Sequence, residues 1–140
     1  MKMEENNTAR LAAEGFKIEM NARIYKNDPV INNVLLWVKV ESGCFSGSME
    51  MNVGSVALEE FLQQMRSMYV SLKGSARIEE AYGNHCFIEF TADKAGHIKV
   101  KGKLQVFLQG KLEFENSFDQ TYLSGFINSL CDTDSWKEEE

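Results

Sequence analysis

From Gly96 the chain reads GHIKVKGKLQVFLQGKLEFENSFD. Ile98, Val100, Gly102, Leu104, Val106 and Leu108 alternate there with His97, Lys99, Lys101, Lys103, Gln105 and Phe107. A two-residue period puts each set on its own face of a strand, because successive side chains point to opposite sides. A strand with one apolar and one wet face belongs to an antiparallel sheet packed on a single side. A parallel sheet buried on both faces would read as a continuous apolar run instead.

The turn that follows decides which residues face one another. A two-residue turn at Gln109-Gly110 would set Leu108 against Lys111 and Val106 against Glu113, mixing wet and apolar faces. A three-residue loop of Leu108, Gln109 and Gly110, with Gly110 left-handed in a bulge, keeps the faces separate. It predicts Phe107 opposite Lys111, Gln105 opposite Glu113 and Lys103 opposite Glu115 outside. Inside, it pairs Val106 with Leu112 and Leu104 with Phe114. On the other flank Cys86, Ile88, Phe90 and Ala92 turn inward, which leaves Glu89 outward beside Lys99 or Lys101. The lysine row is therefore read as part of a charge-paired face, opposed charges across strands contributing ~0.2–1 kcal/mol each. A single-strand nucleic-acid stripe would interleave aromatics among the basic residues, and only Phe107 qualifies.

The formal net charge of −6 agrees. Residues 132–140 carry five acids against Lys137, so −4 of the total belongs to that tail and −2 to the rest. Phosphate binding needs the opposite balance, and no nucleic-acid partner is expected. The longest apolar run, residues 34–40, is far short of a membrane span, and the N-terminus lacks an apolar run of signal-peptide length. Cys44, Cys86 and Cys131 form no CxxC and read as reduced cysteines packed in a core, which places the protein in the cytoplasm.

Further strands are predicted over residues 16–22, 35–41, 44–52, 77–82 and 86–92, with turns at 25–33, Ser42-Gly43 and Gly83-Asn84. Residues 55–72 read as a helix, with Leu58, Phe61, Leu62, Met65, Met68, Tyr69 and Leu72 in one stripe. Ser55 is its expected N-cap, and Lys73-Gly74 its expected left-handed end. A second helix buries Leu123, Phe126, Ile127 and Leu130, capped by Asp119 or Thr121. The expected fold is α+β: a curved antiparallel sheet of about six or seven strands with two amphipathic helices packed on one face. Residues 1–131 are expected to form one domain with a flexible lead-in over 1–14, followed by the acidic tail.

No constellation for chemistry stands out. Glu59-Glu60 and Glu79-Glu80 are neighbours that do not share a face, so neither makes an acid–base dyad. There is no nucleophile elbow and no phosphate-loop spacing. His85 and Cys86 would project oppositely from a strand, and the two histidines and three cysteines have no zinc-site spacing. The expectation is a non-enzymatic chain without catalytic residue, cofactor or metal.

Four segments together resemble a known family: LLWVKVESGCFSGSMEMNV, the helix LEEFLQQMRSMYVSLKGSARIE, FIEFTADKAGHIKVKG, and LEFENSFDQTYLSGFINSL. They are similar to the bacterial WapI-family immunity proteins and their uncharacterised relatives, over about Leu35 to Leu130. The most specific parts are Gly96-His97 leading into IKVKG, and the run Asp119-Gln120-Thr121-Tyr122-Leu123. The resemblance implies a small cytoplasmic antidote that binds and blocks a cognate toxin, often a nuclease. The charged sheet face supplies the expected contact residues: Glu89, Lys99, Lys101, Lys103, Phe107, Glu113 and Glu115. The alternative is a homo-oligomeric structural module with no toxin partner, using Trp37, Phe45 or Trp136 in a self-interface. A third reading, a small-molecule pocket between sheet and helices, has no residue in its favour.

Overall fold

The computed structural model describes residues 8–24, 34–81, 85–93, 95–106 and 109–131. The expected turns at 25–33 and Gly83-Asn84, Phe107 as a contact residue, and the 132–140 tail with Trp136 lie outside the described residues.

In chain order the strands are β1 (Ala9–Ala13), β2 (Phe16–Ile24), β3 (Val34–Ser42) and β4 (Phe45–Val53). Helix α1 (Ser55–Ser71) leads into β5 (Ser75–Glu79), β6 (Phe87–Ala92), β7 (His97–Val106) and β8 (Gly110–Asp119). A 3₁₀ turn over Gln120–Tyr122 then opens helix α2 (Leu123–Cys131). The α+β class holds, but the single curved sheet of six or seven strands does not. The strands form two four-stranded antiparallel sheets, ordered β1-β2-β3-β4 and β5-β6-β7-β8.

Two physical reasons lie behind the difference. The seventeen residues of α1 stand between β4 and β5, so β5 starts a second sheet instead of extending the first. Strand β1 adds an eighth strand beyond those expected, because ARLAA alternates only through small residues around Leu11 and gives a weak strand signal. The two sheets supply each other's inner layer. Ile18, Val38 and Met51 from the first, Ile88 and Val100 from the second, and Phe61, Met65, Phe126 and Leu130 from the helices share one apolar core. Phe16 of β2 stacks on Phe114 and Phe118 of β8, with ring centroids 5.9 and 6.3 Å apart. Asn116 Nδ2 donates to Ser42 Oγ across the same junction.

The helices, too, depart from a shared seat on one sheet. Helix α1 packs chiefly along β5 and α2 along β1, and the two helices touch each other. Phe90 sits between Phe61 and Phe126, at 6.4 and 6.0 Å. Leu58, Phe61, Leu62, Met65 and Met68 of the α1 stripe are buried, but Tyr69 and Leu72 end at the surface. Gly54, in extended backbone, is the N-cap in place of Ser55, which is already helical. The left-handed end falls on Leu72, whose N–H donates to Met68 O at 2.7 Å. Helix α2 buries Leu123, Phe126, Ile127 and Leu130 as expected. Its entry is capped by Asp119, whose carboxylate accepts from Thr121 N at 2.9 Å. Of the cysteines, Cys86 is buried but Cys44 is exposed at the β3–β4 turn; the Cys131 side chain is outside the description. Burial pushes the Cys86 thiol above its ordinary value, partly offset by its contact with the Gln105 backbone.

The β7–β8 hairpin keeps the expected faces but shifts the register by two residues. Val106 pairs with Gly110, Leu104 with Leu112 and Gly102 with Phe114. Gly110 does not take the left-handed conformation that the expected bulge requires. Gly102 explains the choice. A Cβ there would lie 2.5 Å from the Phe87 carbonyl oxygen and 2.6 Å from Phe114 Cζ. The Phe114 ring occupies the space that any other residue would fill, as aromatic cover of a strand glycine does.

Two predictions follow from this geometry. Gly102→Ala forces either a backbone or a ring to move, and is expected to cost ~1–3 kcal/mol in urea unfolding. Gly110→Ala, with nothing near its added methyl, is the control and is expected to change stability little. The second concerns acid. Asp93 accepts from Ala95 N at 2.9 Å and His97 N at 3.1 Å. These donors hold its carboxyl below the ordinary aspartate range, as Thr121 does for Asp119. The folded state therefore binds fewer protons than the unfolded chain. The stabilisation is complete above the ordinary value near ~3.9 and is lost as pH falls through the folded value. Asp93→Asn should differ in stability from the parent at about pH 6 and converge with it towards about pH 2. A difference unchanged across that range would show that the carboxylate charge does not hold the turn.

Candidate protein-binding face

The outward residues of the second sheet line up in rows across its strands. One row runs Arg77, Glu89, Lys101, Glu115 from β5 to β8, alternating in sign at every step. The next runs Glu79, Phe87, Lys103, Glu113. Glu89 lies between two cations, 3.6 Å from Arg77 and 3.6 Å from Lys101, and its side chain is only 22% exposed. At the sheet edge Glu113 and Glu115 are each 63% exposed. Glu113 lies 3.1 Å from Lys111, and Glu115 lies 4.0 Å from Lys99.

Glu89, Lys99, Lys101, Lys103, Glu113 and Glu115 thus share one face, as the alternation predicted. Their partners are corrected by the register shift. Lys103 stands opposite Glu113, and Glu115 opposite Lys101. The two-residue slip preserves the face and changes the neighbour, because the side-chain period is two.

Two residues of this face were not among the sequence candidates. Phe87 is half-buried on the outward side, and the Arg77 guanidinium lies over its ring, 4.0 Å from the centroid. The signal was present in the phase: Phe87 falls between inward Cys86 and Ile88, and Arg77 between inward Ala76 and Ile78. A shallow depression beside Phe87 is lined by Lys101, Glu113 and Glu115.

Charge pairing alone does not single out this sheet. The first sheet carries its own ladder outside, with Arg10 2.6 Å from Glu19, Glu19 opposite Lys39, and Lys17 opposite Glu41. It also turns a half-buried Trp37 outward. The second face differs in its stacked Arg77–Phe87 unit, which couples a planar cation to an aromatic. No group of His, Cys, Asp and Glu among the described residues is placed to hold a metal ion. Among them, too, no helix is long and apolar enough to cross a membrane.

The pairing at the centre of the face is open to measurement. A double-mutant cycle on Arg77→Ala and Glu89→Ala should give a coupling of under ~1 kcal/mol, reduced further at high salt. A coupling insensitive to salt would mean that the ion pair is not what joins them.

Among curated proteins none matches the chain. The model of the immunity protein WapI-like family matches residues 10–132. The match begins inside β1, well before Leu35 where the resemblance in the sequence set in, and so takes in both sheets and both helices. With most of its length covered, the chain belongs to the WapI-like immunity protein family.

Proposed function

We propose that this protein is the antidote of a cognate bacterial toxin, binding it directly and blocking it without turnover. Family membership carries the reading. The outward face of β5–β8 supports it with a chemistry suited to protein contact. Interfaces of ordinary size bury ~1,600 Å² in total and draw most of their affinity from a few aromatic and arginine anchors. Phe87 under Arg77 is the anchor in this proposal. Glu89, Lys99, Lys101, Lys103, Glu113 and Glu115 form its charged surround. Surrounding charges set encounter rate and orientation more than affinity. The antidote would act in the cytoplasm, where it protects the cell that makes it. A nuclease is a fitting target, since a basic phosphate-binding cleft is attracted to a chain of net charge −6.

The test mixes the purified chain with a candidate cognate toxin domain. Calorimetry should give a one-to-one complex, and the toxin should lose activity on binding. Phe87→Ala is expected to weaken that complex about ten-fold or more while the protein stays folded. Self-association in sedimentation, with no toxin complex, would instead establish the homo-oligomeric module.

A further inference from the structure

The edges of the two sheets are not treated alike. At β5, Gln64 of α1 accepts from Arg77 N at 3.1 Å. At β4, Ala81 N donates to Asn52 O at 2.9 Å and closes one end of the edge. Helix α2 packs along β1. Strand β8, ten residues long, ends its sheet. Among the described residues no hydrogen bond reaches the peptide groups of Lys111, Glu113, Glu115 or Ser117 from the open side.

Those peptide groups do point outward. On β7 the Gln105 N–H and C=O turn towards Cys86 Sγ, at 3.3 and 3.4 Å. The even-numbered residues of β7 are then the ones that bond β8. Gln120 N donating to Gly96 O at 3.2 Å continues the same phase. The even-numbered residues of β8 answer them, and the odd-numbered ones offer N–H and C=O to whatever lies alongside.

Charge says what that neighbour should be. The row Arg77, Glu89, Lys101, Glu115 alternates in sign strand by strand and stops on an acid. The row through Lys103 stops on another, Glu113. The next strand in sequence of sign is cationic. A second copy of β8 meets that need only in part, because Lys111 is its one outward cation. In antiparallel pairing about a twofold axis, the registers centred on Glu113 or Glu115 set that acid on itself while Lys111 meets Glu115 or Asp119, and the register between them sets Glu113 against Glu115 twice.

We propose that the open edge of β8 takes an extended segment of the toxin as an added strand, with cationic side chains at alternate positions facing Glu113 and Glu115. The partner's identity rests on the antidote reading; the edge and its charge preference do not. Main-chain bonds supply attachment in such strand addition, and alternate side chains supply selectivity.

A capped peptide alternating lysine and valine is the probe, titrated onto the full chain with amide hydrogen exchange read residue by residue. Exchange should slow at Lys111, Glu113, Glu115 and Ser117 and stay unchanged at Ser46 and Ser48 of β4. The double variant E113K/E115K should bind this peptide about ten-fold more weakly and accept a glutamate–valine peptide in its place. Equal binding of a peptide N-methylated at alternate nitrogens would overturn the proposal, because charge alone would then account for it. Slowing elsewhere, or none, would also overturn it. A toxin domain that binds parent and E113K/E115K equally well refutes the edge assignment and leaves the antidote reading standing. A parent chain that binds no toxin refutes that reading, while the peptide still decides the edge.

Discussion

The contact between Gly102 and the Phe114 ring sets most of what matters in the second sheet. Only a residue without a side chain lets Phe114 lie across β7 at that point. Once it does, Gly102 and Phe114 are opposite, and every other pair of the long hairpin is fixed in step. The same ring reaches Phe16 of the first sheet. One close approach therefore decides the hairpin register, anchors one sheet on the other, and chooses which lysine faces which glutamate outside.

That dependence explains what could and could not be read from the sequence. Alternation assigns faces, and the faces were right for every described residue of the charged set. A strand slipped by two residues keeps its faces, so alternation is blind to that error. Alternation and turn chemistry favour a left-handed Gly110 in a bulge and give Gly102 no role. The cue for the true register was an inward glycine with an inward aromatic on the next strand. The number of sheets was hidden for another reason. Local pattern reports that a strand has a buried side, but whether a helix or another sheet covers it is settled by distant segments. Phe87 was legible in its phase, yet its meeting with Arg77 depends on β5 pairing with β6 in one register.

The two outward faces show how little a charge ladder says by itself. Opposed charges in rows stabilise any wet sheet face modestly, and both sheets have them. Family membership implies a toxin partner in general, but it does not choose between the faces. The second sheet is favoured by what its ladder does at the boundary. Inside, Glu89 is enclosed by Arg77 and Lys101. At the edge, Glu113 and Glu115 stand mostly in water, with cations on β7 and at Lys111 of their own strand.

An exposed edge strand is a hazard, since its free peptide groups invite pairing with copies of itself. Charged residues on the edge are a common defence, and β8 carries three acids on its outward phase, Glu113, Glu115 and Asp119. The defence is selective. Each long register of a second β8 sets acid on acid at least once, whereas a strand of cations meets no like charge at Glu113 or Glu115. In the proposal above, the same acids that count against self-pairing suit the edge to a basic segment, provided that segment is extended and repeats its charges at the sheet's period. An antidote needs both properties, because it must remain unpaired until its toxin arrives and must then prefer that toxin to itself.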